Sequence, residues 1–360
     1  MSRIVLITGG AGFIGCKLGE RLVAEGARVV AADVLHPQVH ASQGRPVDLD
    51  PAIELLPFDV THGAGWDALL RVVRPDTIVH LAAETGTGQS LTESSRHGMV
   101  NVVGTTRMLD ALTTAGFVPE HFVLASSRAV YGEGSWVDTD GTLFYPPTRP
   151  RPALERGVWD AVGPSGRVAT AVPSVAGVTA PNPSNVYAAT KLTQEHLLTA
   201  WGAALGSKVS ILRLQNVYGP GQSLTNSYTG VIALFARLSA AGRPIDVYED
   251  GAIIRDFVYV ADVVAALHAA VARPASRLLD IGAGSATTIY AAAAQIARLA
   301  GSSAPFVSGR FRDGDVRAAS CSIDAARADL GYDPAWPVER GLAELYRWVL
   351  EQPEHVRLVG

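Results

Sequence analysis

Residues Ile4 to Gly15 read I-V-L-I-T-G-G-A-G-F-I-G: a short β-branched run breaks into a glycine-rich loop and continues as an amphipathic segment. Strand, tight turn and helix in that order leave the first N–H groups of the helix without intrahelical partners. The helix dipole adds a preference for negative charge there, so the feature suits a pyrophosphate. Gly9, Gly12 and Gly15 follow the spacing G-x-x-G-x-x-G. One permits the tight turn, one the approach of backbone to phosphate, one the close packing of helix on strand. Gly10 loosens the loop further. The chain is expected to hold a dinucleotide.

The context strengthens that expectation. Arg28–Ala32 forms a second apolar run and Asp33 closes it, about 20 residues after the loop. A carboxylate there accepts hydrogen bonds from ribose hydroxyls and repels a 2′-phosphate, which favours NAD over NADP; the alternative is a solvated loop carboxylate. The sequence has no G-x-x-x-x-G-K-[ST] motif, which argues against a triphosphatase loop.

With 360 residues the chain can bury a large core, in one domain or two lobes. A net charge of −4 gives no electrostatic case for nucleic acid. Cys16 and Cys321 form no C-x-x-C, so neither a disulfide framework nor a metal site is expected, and Cys16 reads as a packed hydrophobe. No secretory leader is expected. The apolar run Val263–Ala272 contains His268 and is too short to span a bilayer. No membrane association is expected, and the expected location is the cytoplasm.

Strand-like runs at Ile4–Thr8, Arg28–Ala32, Glu54–Leu56, Thr77–Leu81, His121–Ser126 and Val209–Leu214 alternate with helical stretches at Cys16–Glu25, Trp66–Val73, Val100–Ala115 and Val186–Ala203. Such alternation predicts a Rossmann-type, doubly wound parallel sheet, an α/β fold whose ligands bind beyond the C-terminal strand ends. Two regions break the rhythm. Residues 134–184 form a long Pro-, Gly- and Arg-rich excursion containing Trp136 and Trp159, read either as a structural insertion or as a lid or wall on the substrate cleft. At 219–251 a helical run, Thr229–Ala241, is flanked by Gly and Pro. The expected division is a dinucleotide-binding unit over 1–218, with 255–272 returned to it, and a smaller, interwoven substrate lobe over 219–360.

Tyr187 and Lys191 stand four residues apart at the start of a helical segment, on one helix face. A phenol has an ordinary pKa near 10. A neighbouring ammonium stabilises the phenolate, so such a pair can exchange a proton with a hydroxyl while hydride moves to or from a nicotinamide. Ser126 and Ser127 end the fifth strand-like run, where a hydroxyl points into the expected cleft; a local turn hydrogen bond is the plainer role.

Together these segments resemble the extended short-chain dehydrogenases/reductases, in particular the nucleotide-sugar epimerase and dehydratase family. The residues are T-G-G-A-G-F-I-G (Thr8–Gly15), H-L-A-A (His80–Ala83), S-S-R-A-V-Y-G (Ser126–Gly132), Y-A-A-T-K (Tyr187–Lys191), L-R-L-Q-N-V-Y-G-P-G (Leu212–Gly221), R-D-F-V-Y-V-A-D (Arg255–Asp262) and R-D-G-D-V-R (Arg312–Arg317). The resemblance implies NAD held by Gly9, Gly12, Phe13, Ile14, Gly15, Asp33, Asp59, Val60, Leu81, Ala82, Ala83, Asn101, Tyr187 and Lys191, with Asp59 beside the adenine and Asn101 supporting the site. It implies Ser127, Tyr187 and Lys191 as catalytic residues. Asn216, Arg255 and Arg312 are implied at the substrate diphosphate, where guanidinium groups bond phosphate oxygens in pairs. Arg128 is implied on the substrate side, and Thr85, Thr87 and Gln89 are candidates for touching the sugar. His80 reads as a structural residue of a buried strand.

One departure bears on the reaction. The family's 4,6-dehydratases carry an Asp-Glu pair after the catalytic Ser/Thr, whereas here Arg128 and Ala129 follow Ser127. That favours epimerisation or simple oxidoreduction. The excursion and A-A-E-T-G-T-G-Q-S (Ala82–Ser90) resemble the branch containing dTDP-L-rhamnose 4-epimerases. The expectation is an epimerase acting at C4 of a UDP- or dTDP-linked sugar, as a homodimer. The alternatives are a sugar-nucleotide 4-ketoreductase or dehydrogenase, and a non-catalytic NAD-binding sensor.

Overall fold

The computed structural model describes residues 3–40, 43–224 and 230–352. Its centre is one sheet of seven strands, all parallel: β1 (Ile4–Thr8), β2 (Arg28–Asp33), β3 (Glu54–Pro57), β4 (Thr77–His80), β5 (His121–Ser127), β6 (Lys208–Leu214) and β7 (Arg277–Ile281), in the order β7-β6-β5-β4-β1-β2-β3. The order reverses between β1 and β4, which opens a crevice at their C-terminal ends. The first six strands fall where the apolar runs predict them, to within a residue. β7 is a correction: it lies inside 219–360, expected as the substrate lobe, yet it pairs with β6 and completes the main sheet. Its sequence, R-L-L-D-I, is an apolar run interrupted by Asp280, too short and mixed to stand out.

Alternation along the strands explains why the sheet must be covered on both sides. Leu6, Val30, Ile78, Phe122 and Ile211 face one layer, with α2 (Gly63–Val72), α3 (Gly104–Thr114) and α4 (Val186–Leu205). Their neighbours Val5, Val29, Val79, Val123 and Leu212 face the other, with α1 (Phe13–Ala24) and, later in the chain, a helix over Val260–Ala272. The expected run Val100–Ala115 is in fact a π-helical turn, Gly98–Val103, continuing into α3.

The remaining chain is interwoven, as expected. α5 (Val231–Ala240) precedes α6, the Val260–Ala272 helix that packs on α1; α7 (Ile289–Ala300) and α8 (Val338–Glu351) pack with α5. Of the expected helix Thr229–Ala241, Thr229 lies outside the described residues. Short ladders knit the lobe: Asn216–Tyr218 beside Phe257–Tyr259, and Ile254–Arg255 between Thr287–Thr288 and Ala318–Ala319.

The excursion 134–184 is more ordered than its composition suggests. Ser135–Val137 pairs with Leu143–Phe144 and Thr170–Val172 in a small antiparallel sheet, and Trp136 is buried. Buried ion pairs tie it to the later chain. Arg149 bridges Glu133 at 3.1 Å and Glu249 at 2.8 Å, and Arg317 reaches Asp160 at 2.7 Å, Asp250 at 2.6 Å and Glu249 at 3.1 Å. Removing one partner from such a cluster leaves an uncompensated buried charge, which costs several kcal/mol. Among the described residues no helix is long and apolar enough to cross a membrane.

His80 on β4 and His121 on β5 are fully buried, and desolvation pushes them down to about 3 and about 4. As pH falls through about 6.5 the unfolded chain binds protons on both imidazoles while the folded chain does not, so stability drops with pH until each folded value is reached. Each histidine should contribute a loss on the order of 1 kcal/mol per pH unit. Urea unfolding between pH 7 and pH 4 should show this decline, and His121→Gln should flatten it by one histidine's share.

Candidate active site

A cleft of about 630 Å³ opens at the C-terminal edge of the sheet. Its floor is the β1–α1 loop. Gly12 is the N-cap of α1 and carries no side-chain cap, so the first turn of the helix presents bare backbone N–H groups. Gly9 has φ +68°, and a Cβ on it would meet the Ala82 backbone nitrogen at 2.8 Å. Gly15 packs so closely on Gly10 that a Cβ would lie 2.7 Å from its Cα. A loop this tight keeps side chains away from the helix N-terminus and leaves a cradle for phosphate oxygens.

Asp33, at the end of β2, is held by two backbone amides. Oδ2 accepts from Ala11 N at 3.0 Å and Oδ1 from Leu35 N at 2.8 Å. It lines the cleft with Phe13, Ile14, Asp59, Val60, Leu81, Ala82 and Ala83. A bare helix N-terminus, a carboxylate one strand away and an apolar slot between them fit an adenine dinucleotide. Asp59 Oδ1 accepts from the Thr61 amide and hydroxyl, both at 2.8 Å. Burial and a 3.2 Å bond to Ala11 O occupy the Cys16 thiol, whose pKa burial pushes up to about 12, so it packs as expected.

Ser127, Tyr187 and Lys191 all line the same cleft. Asn185 caps α4 by accepting from Ala188 N at 2.9 Å, which sets Tyr187 and Lys191 in the first turns. The two adjacent serines separate because strand residues alternate. Ser126 is buried and donates to Glu195, itself clamped by Arg213 at 2.9 and 2.7 Å. Ser127 accepts from Ala129 N at 3.2 Å, and its hydroxyl favours the Tyr187 phenolate.

The electrostatics differ from the sequence expectation. Desolvation raises the Tyr187 pKa; Ser127 and Arg128 work against it, while Lys191 is not among the groups that lower it. Lys191 is buried, which lowers its own pKa to about 7 with Glu195 opposing, and its ammonium is turned to Gln194 Oε1 at 2.6 Å. The cationic neighbour of the phenol is therefore Arg128. Desolvation and the charge of Arg255 bring Arg128 down to about 10.

On the far side of the cleft Arg128 Nε donates to Asn216 Oδ1 at 3.0 Å, and Thr85 and Thr87 are also on the wall. Gln89, Asn101, Arg255 and Arg312 are not. Gln89 is buried, its amide bonded to Gln38 and Glu93. Arg255 is buried against Asp315 at 2.6 Å, and Arg312 is exposed, its guanidinium 5.2 Å from the Tyr248 ring. Burial alone would raise Asp315, yet Arg255, Arg128, Arg149 and Arg312 around it hold it below the usual carboxylate range. Asn101, fully buried, braces the site from behind. It bonds Glu84 N at 2.8 Å and Glu84 O at 3.0 Å, and donates to Thr190 Oγ1 at 2.9 Å. No residue of 134–184 lines the cleft.

Sequence reading missed the Arg96–Glu84 pair, 2.8 Å apart on the cleft wall, and Gln194 behind Lys191. Neither belongs to a spaced motif, and only the fold brings Arg96 to Glu84.

Comparison with known proteins agrees with this geometry. The model of the NAD dependent epimerase/dehydratase family matches residues 5–153 and 164–282. The chain is 54% identical to a dTDP-L-rhamnose 4-epimerase of Burkholderia thailandensis over 97% of this chain and 95% of that one. It is 30% identical to a UDP-glucose 4-epimerase of Mycolicibacterium smegmatis, over 94% and 96%. Among solved structures, Thermus thermophilus UDP-glucose 4-epimerase in complex with NAD superimposes with a TM-score of 0.75 at 27% identity, over 99% and 100% of the two chains. Thermotoga maritima UDP-glucose 4-epimerase with UDP-glucose gives 0.77 at 25%, over 97% and 99%. A glycine-cradled helix N-terminus and a Ser-Tyr-Lys set share one cleft, and the match runs from end to end: the chain belongs to the NAD dependent epimerase/dehydratase family.

Proposed function

We propose that this protein inverts C4 of a nucleoside-diphosphate sugar with NAD as its resident cofactor, and that the sugar nucleotide is dTDP-L-rhamnose or its C4 epimer. The observation that carries the reading is the sharing of one cleft by the glycine loop and Ser127, Tyr187 and Lys191. Arg128 and Ala129 following Ser127 argue against dehydration, and the 54% identity to a dTDP-L-rhamnose 4-epimerase supports the substrate.

Bound NAD supplies a hydride acceptor and, later, donor for C4. Tyr187 takes the proton of the C4 hydroxyl, and Ser127 holds O4 beside the phenol. Ser127 and Arg128 stabilise the phenolate against the desolvation that disfavours it. Lys191 stands one helical turn along on the same face, its ammonium held by Gln194. The sugar, now a 4-ketone, turns about its diphosphate link so that the hydride would return to the opposite face of C4, while Tyr187 gives the proton back to O4. Residues Asn216 and Arg128 meet the diphosphate on this reading, with Arg255 and Arg312 adding positive field from behind. Residues 1–218 with 255–272 serve the cofactor and 219–360 the sugar nucleotide, β7 being lent to the main sheet.

We further propose a cytoplasmic homodimer joined through α3 and α4. Support comes from a shallow groove on the outer face of this helix pair, where Leu109, Leu197, Ala200 and Trp201 line one surface. Ala200 is exposed at its edge. Ala200→Arg should convert a dimer to a monomer by light scattering after size exclusion, and an unchanged mass would exclude this face.

With dTDP-L-rhamnose, the purified protein should yield the C4 epimer without added cofactor, and substrate deuterated at C4 should keep its label. Accumulation of oxidised cofactor from added NADPH would instead indicate a 4-ketoreductase. Tyr187→Phe should lower kcat by about 10³-fold, the scale of a lost general acid–base group; unchanged biological activity would favour the sensor reading. Gly9→Ala should release NAD on purification, because its Cβ would collide with the Ala82 backbone. Ligand analysis of the denatured protein checks this.

A further inference from the structure

Gln194 lies one turn beyond Lys191 on α4 and is fully buried. Its amide is fixed at both ends. Oε1 accepts from Lys191 Nζ at 2.6 Å. Nε2 donates to Thr105 Oγ1 at 2.9 Å and stands 3.1 Å from His80 Nε2. Thr105 gives its own proton to Asn101 O at 2.6 Å, so its oxygen is an acceptor toward Gln194. His80 Nε2 also stands 3.1 Å from that oxygen, so Gln194, Thr105 and His80 meet in one polar triangle. On the other side of the ring Nδ1 shares a 2.7 Å hydrogen bond with Thr8 Oγ1. Flipping the Gln194 amide would set an NH2 group against the ammonium, so the partners fix its orientation.

The bonds form a continuous line. It runs from Lys191 through Gln194 and His80 to Thr8, the residue before Gly9, where the Ala82 amide also bonds Thr8 Oγ1 at 3.3 Å. We propose that Gln194 is the positioning residue of Lys191, a neutral acceptor locked by Thr105 and His80 that fixes the ammonium without cancelling its charge. The proposal rests on the preceding reading only in taking Lys191 as the partner of Tyr187. Burial keeps His80 neutral, so no second cation faces the ammonium. The titratable groups facing Lys191 are Glu195 and Tyr187 on α4 and His80 on β4; Glu195 favours the ammonium, and Arg213 holds that carboxylate.

Two near-isosteric variants test it with opposite signs. The chain's lysines are Lys17, Lys191 and Lys208, so the 13Cε resonance of Lys191 is assignable by its loss in Lys191→Met and can be titrated without added ligand. Gln194→Met removes the acceptor and should lower the Lys191 pKa by about one unit. Gln194→Glu adds a negative charge and should raise it by about one unit or more. With dTDP-L-rhamnose, Gln194→Met should cut kcat about 10-fold near neutral pH while KM stays within about 2-fold, because the acid–base pair is disturbed and the substrate wall is not. A Lys191 titration unmoved in Gln194→Met, or a loss confined to thermal stability, would make Gln194 merely structural and overturn the proposal. If Gln194→Glu does not fold, Gln194→Met decides alone. If the wild-type protein epimerises nothing, the proposed function fails, and the Lys191 titration still decides the role of Gln194.

Discussion

Seven strands running the same way put seven C-terminal ends on one edge, and everything functional in this chain follows from that. A parallel sheet cannot be closed by tight hairpins, so each strand returns through a helix. The loops on the return side are free of packing duties and carry the chemistry. Glycine loop, Asp33, Ala82 and Ser127 lie far apart in sequence and meet because each terminates a strand of the same sheet. Where the order reverses between β1 and β4 the flanking loops diverge, and the cleft occupies that gap.

An edge made of loop ends has to be held in register, and buried polar groups do it. Ser126, Glu195 and Arg213 join β5, α4 and β6 in one cluster, and Tyr131 extends it by bonding Asp280 on β7 at 2.9 Å. Arg213 also lies over the Tyr131 ring, 4.7 Å from its centre. Burying such groups yields little net stability, because desolvation offsets most of the attraction. What it provides is exclusion of alternatives: a one-residue slip of β5 would exchange Ser126 and Ser127, removing the hydroxyl that Glu195 accepts from and turning the cleft hydroxyl inward. The same logic applies to the excursion, whose Arg149 joins Glu133 to Glu249 and the Asp315 carbonyl of the later chain.

The sequence revealed what local spacing encodes. The glycine loop, Asp33, and the Tyr187–Lys191 pair are each set by a turn or by one helical repeat, so their positions could be read before any tertiary contact was known. β7 could not, because an apolar run broken by Asp280 looks like a loop until Tyr131 supplies a partner for the carboxylate. Arg255 was legible as a cation, but its partner Asp315 lies 60 residues away in sequence. The direction of the Tyr187 shift was misjudged for a related reason. Helical spacing puts Lys191 on the same face, but it does not reveal that Gln194 takes the ammonium or that Arg128, from another element, approaches the phenol.

Burial treats the acid–base pair in opposite chemical senses with one result. It raises Tyr187 and lowers Lys191, so both groups are driven toward their neutral forms. A buried tyrosine that must become an anion therefore needs positive charge that is not already neutralised. A carboxylate at position 194 would secure the lysine as an ammonium but would compete with the phenolate for it. An amide secures position without that competition, because its oxygen accepts a hydrogen bond and contributes no net charge. Arg128 answers the same need from the other side: its bond to the neutral Asn216 amide leaves its charge available. The site thus gives each cation near Tyr187 an amide as hydrogen-bond partner, while the direct ion pairs of Glu195 and Asp315 go to Arg213 and Arg255, one layer back.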